Sequence, residues 1–219
     1  MIFAKIDFIN LLPFHIYIKK NIKSTQTKSI IEYKKSYPSL INKKFKKREV
    51  DSAFISSIAS RNEKKLSLGI IAKKDVLSVL LIPGNDEKDF QSDTSNALAK
   101  VLDLKGKVLI GDKALKYYHN NEKKDFIDLA QYWNDKYNLP FVFAVLCYSS
   151  NKKQLEKIIK NFNKNHIKIP TYILSQYSKR TGISNKNILE YLKKIDYKIG
   201  IKEKRSLKLF FKLTKQKGI

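Results

Sequence analysis

The side chains most often found doing chemistry are sparse in this chain. His15, His119 and His166 stand apart in sequence, and Cys147 sits alone inside the apolar run LPFVFAVLCY. A lone Cys makes no internal disulfide, and with no second Cys or nearby His it supplies no zinc pattern. P-loop, GxGxxG, HExxH, CxxC and GxSxG patterns are all missing, so nucleotide, metal and serine-triad chemistry lose their sequence support. What remains is a set of small neutral polar residues. Asn10 ends the first apolar run, Ser56 and Ser57 end another, and Ser78 interrupts VLSVLLIP. Thr94 and Ser95 open a helix, where free backbone N–H groups and the helix dipole favour a carboxylate or phosphate. Each also has a plain structural explanation: turn formation for Asn10 and Ser56, a satisfied strand serine at 78, capping at Thr94 and Ser95. If their elements converge in one cleft, together they form a neutral hydrogen-bonding site for a small anion.

The elements that must position these residues alternate between strand and helix patterns. IFAKIDFI (2–9) predicts a strand, with Pro13 then opening a short helix. KSIIEYKK (28–35) predicts a second strand, and 36–49 an amphipathic helix with Leu40, Ile41 and Phe45 inward. VDSAFISSIAS is a buried strand running into a turn, and LGIIAKKDVLSVLLIPG is two strands joined by a Lys-Asp turn. This order predicts a parallel sheet with crossover helices. The polar stretch GNDEKDFQSD (84–93) breaks the pattern and is the candidate hinge. Beyond it come the helix NALAKVLDLK, a strand and helix in KVLIGDKALKYY, a helix around DLAQYWNDKYN and the strongly apolar strand LPFVFAVLCYS. From Lys152 onward the pattern is helical. The expectation is a two-lobed α/β protein, with residues 1–88 plus 186–219 in one lobe, 89–185 in a smaller one, and a ligand cleft at the strand ends between them.

Composition narrows the setting. With 42% hydrophobic residues over 219 positions, a core can form, and a disordered polycation is excluded. The charge is 45 − 20 = +25, yet only Arg48, Arg61, Arg180 and Arg205 among the 45 cations are arginines. Sequence-specific nucleic-acid binders lean on Arg for bidentate contacts, so a diffuse Lys surface predicts no specific nucleic acid and at most weak polyanion binding. A basic field would still steer a small anion towards a cleft. The longest apolar stretch, 139–148, is about half of the roughly 20 residues a membrane span needs. No membrane partner is expected, and the absence of a secretory pattern at the N-terminus points to a cytoplasmic protein.

Seven blocks in order, FINLLPF, VDSAFISSIAS, SVLLIP, DTSNALAKVL, LIGDKAL, DLAQYW and LPFVFAV, resemble the chorismate dehydratase family of the futalosine route to menaquinone. The resemblance continues through YLKKIDYKIGIKEKRSLKLFFKL, nearly to the end of the chain. It implies a fold like that of type II periplasmic-binding proteins. It also implies conversion of chorismate, a small-molecule substrate, to 3-[(1-carboxyvinyl)oxy]benzoate and water, without metal or organic cofactor. Position by position, Asn10 and Ser78 match the residues implicated in dehydration, while Thr94 and Ser95 match a pair that would hold a substrate carboxylate. Ser56 and Asp112 fall in matching blocks, which places them near substrate without a defined role. The chain departs from the family between Leu104 and Lys107, where most members carry a longer strand and helix, so a smaller second lobe is expected. Two other functions stay open at this stage. One is a non-catalytic carboxylate-binding protein of the same fold, and the other is the sister enzyme that acts on dehypoxanthine futalosine.

The implied reaction suits these residue types. Chorismate must lose the ring proton beside its ether oxygen and the adjacent hydroxyl, and aromatisation drives the step. Neither Ser nor Asn titrates in a useful range, and no His or Glu adjoins them in sequence. The substrate's own enolpyruvyl carboxylate is therefore the expected base, with Asn10 and Ser78 orienting it and supporting the departing hydroxyl.

Overall fold

A computed structural model describes residues 2–122 and 125–219. The first apolar run stays extended without forming a regular strand. It makes isolated parallel bridges, Phe3 to Ser52 and Ile6 to Ser36, and ends in a 3-10 turn at Ile9–Leu11. Helix α1 (Leu12–Asn21) follows, with Pro13 in its first turn, where a missing N–H leaves no bond unmade. The strand expected at 28–35 is a helix instead, α2 (Thr25–Tyr33). Its apolar run is short and lacks strict alternation, and the Gln, Lys and Glu around it are good helix formers. Helix α3 (Pro38–Lys46) buries Ile41 and Phe45, and it packs against β1 (Ser52–Ser56).

The chain continues through β2 (Lys65–Ala72), β3 (Val79–Ile82), α4 (Asp93–Val101), β4 (Lys107–Ile110), α5 (Gly111–Asn120), β5 (Ile127–Asp128), α6 (Leu129–Tyr137) and β6 (Phe141–Tyr148). Helices α7 (Lys152–Ile159), α8 (Thr171–Thr181) and α9 (Asn185–Lys194) lead to β7 (Ile195–Lys198) and the terminal α10 (Ile201–Gln216). The strands form two sheets, one ordered β1-β6-β2-β7 and the other β4-β3-β5. All the ladders between these strands are antiparallel, which corrects the expected parallel sheet. Alternating strand and helix patterns look the same whether a strand pairs with its sequence neighbour or with one returning from far along the chain. Here β6 returns to lie between β1 and β2, so the apolar strand expected in the second lobe is central to the larger sheet. Conversely, β3 follows β2 in sequence but belongs to the smaller sheet. The chain thus crosses between sheets at 73–78 and 138–140, rather than at the polar stretch 84–93.

An aromatic seam involving α10 joins the two sheets. Trp133 of α6 stacks edge-on to Phe141 at 5.2 Å, and Phe141 meets Phe210 of α10 at 5.1 Å. The Trp133 indole N–H donates to Ser206 at 3.2 Å, so burying the ring leaves no donor stranded. Among the described residues, no helix is long and apolar enough to cross a membrane.

Candidate active site

Between the sheets lies a cavity of about 50 Å³. Its polar lining is Asn10, Ser56, Ser78, Ser92 and Ser95, set among apolar residues including Phe8, Phe54 and Phe143. Asn10 comes from the 3-10 turn, Ser56 from the end of β1, Ser78 from the residue before β3, and Ser92 and Ser95 from the start of α4. Four of the six residues singled out in the sequence therefore meet in one place, at strand ends and a helix start. No Asp, Glu, His, Lys or Arg is among the lining residues.

Ser78 is the most elaborately held of the four. The Tyr191 hydroxyl of α9 donates to Ser78 Oγ at 2.9 Å, and the Gly111 N–H donates to its carbonyl at 2.8 Å. Gly111 sits at φ +62°, where a Cβ would lie 3.0 Å from the Phe8 ring, so glycine is needed both for conformation and for space. The residues before Ser78 are anchored by Asp128. One of its oxygens accepts from the N–H groups of Val76 at 2.8 Å and Leu77 at 2.7 Å. The other caps α6 through Ala130 at 2.9 Å and Gln131 at 3.1 Å. Leu77 is held at φ +58°, the left-handed region that a branched side chain rarely visits. Burial pushes the Asp128 carboxyl above its usual range, and the four N–H groups only partly offset it.

Asn10 is fixed through its backbone. The Tyr197 hydroxyl of β7 donates to its carbonyl at 2.5 Å. Asn10 Oδ1 is buried and, among the described residues, has no partner. An unmet buried acceptor costs about 1–3 kcal/mol, which marks it as a group waiting for a donor. Burial raises the Tyr191 hydroxyl well above the ordinary phenol range, so it remains a protonated donor.

The remaining residues play other parts. Ser56 Oγ accepts from the Asn42 side chain at 2.9 Å, and its N–H donates back to Asn42 Oδ1 at 3.1 Å. Ser92, rather than Thr94 or Ser95, is the N-cap of α4: its Oγ accepts from the Ser95 N–H at 3.1 Å and donates to Ser95 Oγ at 2.8 Å. Thr94 is absent from the cavity lining, and its Oγ1 accepts from the Ile58 N–H at 3.1 Å. Asp112 is absent too. Its carboxylate accepts from the Ile9 N–H at 3.1 Å and from Arg180 at 3.0 Å, tying α5 to the turn that carries Asn10. Arg180 also pairs with Asp7 at 2.7 Å, and burial leaves Asp112 raised despite this company. His15 lies outside the cavity, in a groove of about 790 Å³ beside α1 and α8, with its Nε2 2.9 Å from the Ile6 carbonyl. Sequence reasoning missed Tyr191, Tyr197 and Asp128. Asp128 carried a signal, an N-cap residue type just before a helix pattern, whereas the tyrosines act across 113 and 187 positions and left no local trace.

Two sequence comparisons agree on one family. A family model described as menaquinone biosynthesis matches residues 90–216. A curated protein of Campylobacter jejuni, named chorismate dehydratase, is 49% identical over 219 residues, covering 98% of each chain. Among solved structures, a protein from Archaeoglobus fulgidus superposes with a TM-score of 0.64 at 12% identity, covering 99% of this chain and 97% of that one. A Candida albicans protein, described as having the generic periplasmic binding protein fold, gives a TM-score of 0.43 at 15% identity, over 98% of this chain and 92% of its own.

Proposed function

This chain belongs to the chorismate dehydratase family of menaquinone biosynthesis, and from that premise we propose that its cleft removes water from chorismate as a hydro-lyase, giving 3-[(1-carboxyvinyl)oxy]benzoate. The observation that carries the chemistry is the cavity lining, which offers hydroxyl and amide groups but no ionisable side chain. The base must then arrive with the substrate, and chorismate brings one. Its enolpyruvyl carboxylate takes the ring proton beside the ether oxygen, electrons flow into the ring, and the adjacent C–O bond breaks. The proton taken up leaves with the departing hydroxyl as water, so the protein gains and loses none.

The protein's task is to hold the leaving hydroxyl. Ser78 receives the proton of Tyr191 on a lone pair, which leaves its own O–H to donate into the cavity. Asn10 Oδ1 offers an acceptor nearby in the same lining. A hydroxyl that donates to Asn10 and accepts from Ser78 satisfies both, and the Ser78 bond strengthens as negative charge develops on the leaving oxygen. The start of α4, with Ser92 and Ser95 facing the cavity, supplies partial positive charge for a substrate carboxylate. This moves the carboxylate role from Thr94 to Ser95 and Ser92, and gives Asp112 a positioning part through the Asn10 turn.

Small-molecule sites typically enclose about 300–1,000 Å³, far more than this cavity holds. Substrate entry therefore requires the sheets to separate at the crossings 73–78 and 138–140, and closing again excludes water. The +25 surface steers the dianion to the mouth. We place the reaction in the cytoplasm, in keeping with a chain whose one cysteine is free and buried. Incubating the purified protein with chorismate and following products by mass spectrometry tests this function. A benzoate one water lighter than chorismate is expected. Chorismate bound but unchanged would indicate a binding protein, and turnover of dehypoxanthine futalosine instead would indicate the sister activity.

A further inference from the structure

We infer that Tyr191, which lines no part of the cavity, is the positioning residue that sets Ser78 in its working orientation. The inference rests on the dehydratase function proposed above and assigns a residue to it. The geometry is a hydrogen bond between two buried hydroxyls. Tyr191 is 2% exposed, on the buried face of α9, and its hydroxyl donates to Ser78 Oγ at 2.9 Å.

A phenol hydroxyl in this place removes an ambiguity. A serine hydroxyl rotates freely and can present either a proton or a lone pair. With the Tyr191 proton on its lone pair, Ser78 keeps its own O–H for the cavity. Asn10 Oδ1, in the same lining, is buried and, among the described residues, unpartnered. Ser78 as donor and Asn10 as acceptor make the pair that one leaving hydroxyl group needs. Tyr191 passes no proton on: burial keeps it protonated, and a tyrosinate beside the departing hydroxyl would oppose the reaction. Its action is confined to orientation, together with a hydrogen bond that stabilises charge developing on Ser78 Oγ.

The test is Tyr191→Phe, which keeps the ring and deletes the hydrogen bond to Ser78, read alone and in the Ser78→Ala background. Wild-type turnover of chorismate is measured first, so that failure of the dehydratase function shows as no wild-type product at all. Given turnover, the variant is expected to lose about 10- to 100-fold in kcat with KM within about threefold, because binding survives while the reactive orientation does not. In the Ser78→Ala background the same change should cost less than about threefold, since the group it orients is already gone. Tyr17→Phe is the comparison for losing a buried phenol elsewhere; its hydroxyl donates to the Ile158 carbonyl at 2.7 Å, Tyr17 does not line the cavity, and kcat should hold. Loss of kcat by equal factors in both backgrounds, or no loss in either, would overturn the inference. A second reading does not need Tyr191→Phe to fold: with tyrosine labelled at Cζ, the Tyr191 resonance should move in Ser78→Ala and stay in place in Thr181→Ala. An unmoved resonance in Ser78→Ala would equally overturn it.

Discussion

Asp128 should matter to both stability and turnover, although it does not line the cavity. Asp128→Asn preserves shape and replaces one carboxylate oxygen with NH2. The amide oxygen can continue to serve one pair of N–H groups, either the α6 cap or Val76 and Leu77, and the other pair then faces a second donor. Hydrogen bonds to a charged acceptor contribute about 1.5–3 kcal/mol each, so two lost bonds come to roughly 3–6 kcal/mol. Relief from burying a carboxylate offsets part of that, leaving an expected loss of about 2–4 kcal/mol. The functional effect follows from Leu77. Its left-handed backbone is about 1–2 kcal/mol unfavourable for a residue with a Cβ, and it persists because its N–H is held at 2.7 Å. Once released, Leu77 relaxes towards an ordinary conformation and carries Ser78 with it. A displacement near 1 Å costs about 10²-fold in rate, so a partial shift predicts a kcat lower by about 10- to 100-fold. Urea denaturation and initial rates on chorismate read the two effects. A variant within about 1 kcal/mol of wild type and within twofold in kcat would refute the claim that this carboxylate braces the serine.

Three further outcomes follow from the same structure. Gly111→Ala puts a Cβ at φ +62° and 3.0 Å from the Phe8 ring, and should cost about 2 kcal/mol in thermal or chemical denaturation while lowering kcat by crowding the cavity. Burial pushes the Cys147 thiol up to about 12, so at pH 8 roughly one molecule in 10⁴ carries thiolate, and a thiol reagent should label it only as the protein unfolds. Burial acts to raise Asp7, but the Tyr177 hydrogen bond and the Lys5 and Arg180 charges together hold its carboxyl below the ordinary 3.8. That stabilisation is fully present above the unfolded value and is lost as pH falls through the lower folded one. Asp7→Asn should therefore flatten the acid limb of a stability-versus-pH curve below about pH 4, and an unchanged limb would count against the assignment.

The local parts of this structure were legible because they are written in short patterns. Pro13 at a helix start and the buried β1 both follow from residues a few positions apart. The site was half legible for the same reason: Asn10, Ser56, Ser78 and Ser95 stand where strands end and helices begin, and such places line clefts. Long-range pairing was not legible. The pattern marked β6 as a strongly apolar strand but could not say that it would pass between β1 and β2, and β7 is a four-residue strand hidden behind a helix pattern. Asp112 and Thr94 looked like ligand-binding groups because their types and blocks fit. Only the fold shows their oxygens turned to Ile9, Arg180 and Ile58.

The central claim is that a cleft without ionisable groups dehydrates chorismate through Asn10 and Ser78. The most direct measurement is kcat on chorismate for wild type, Asn10→Ala and Ser78→Ala, each confirmed as folded and able to bind the substrate. Removing a group that stabilises a developing oxyanion typically costs about 10²–10³ in kcat, and each variant should fall by that order while still binding. Both variants turning over at close to the wild-type rate would contradict the account.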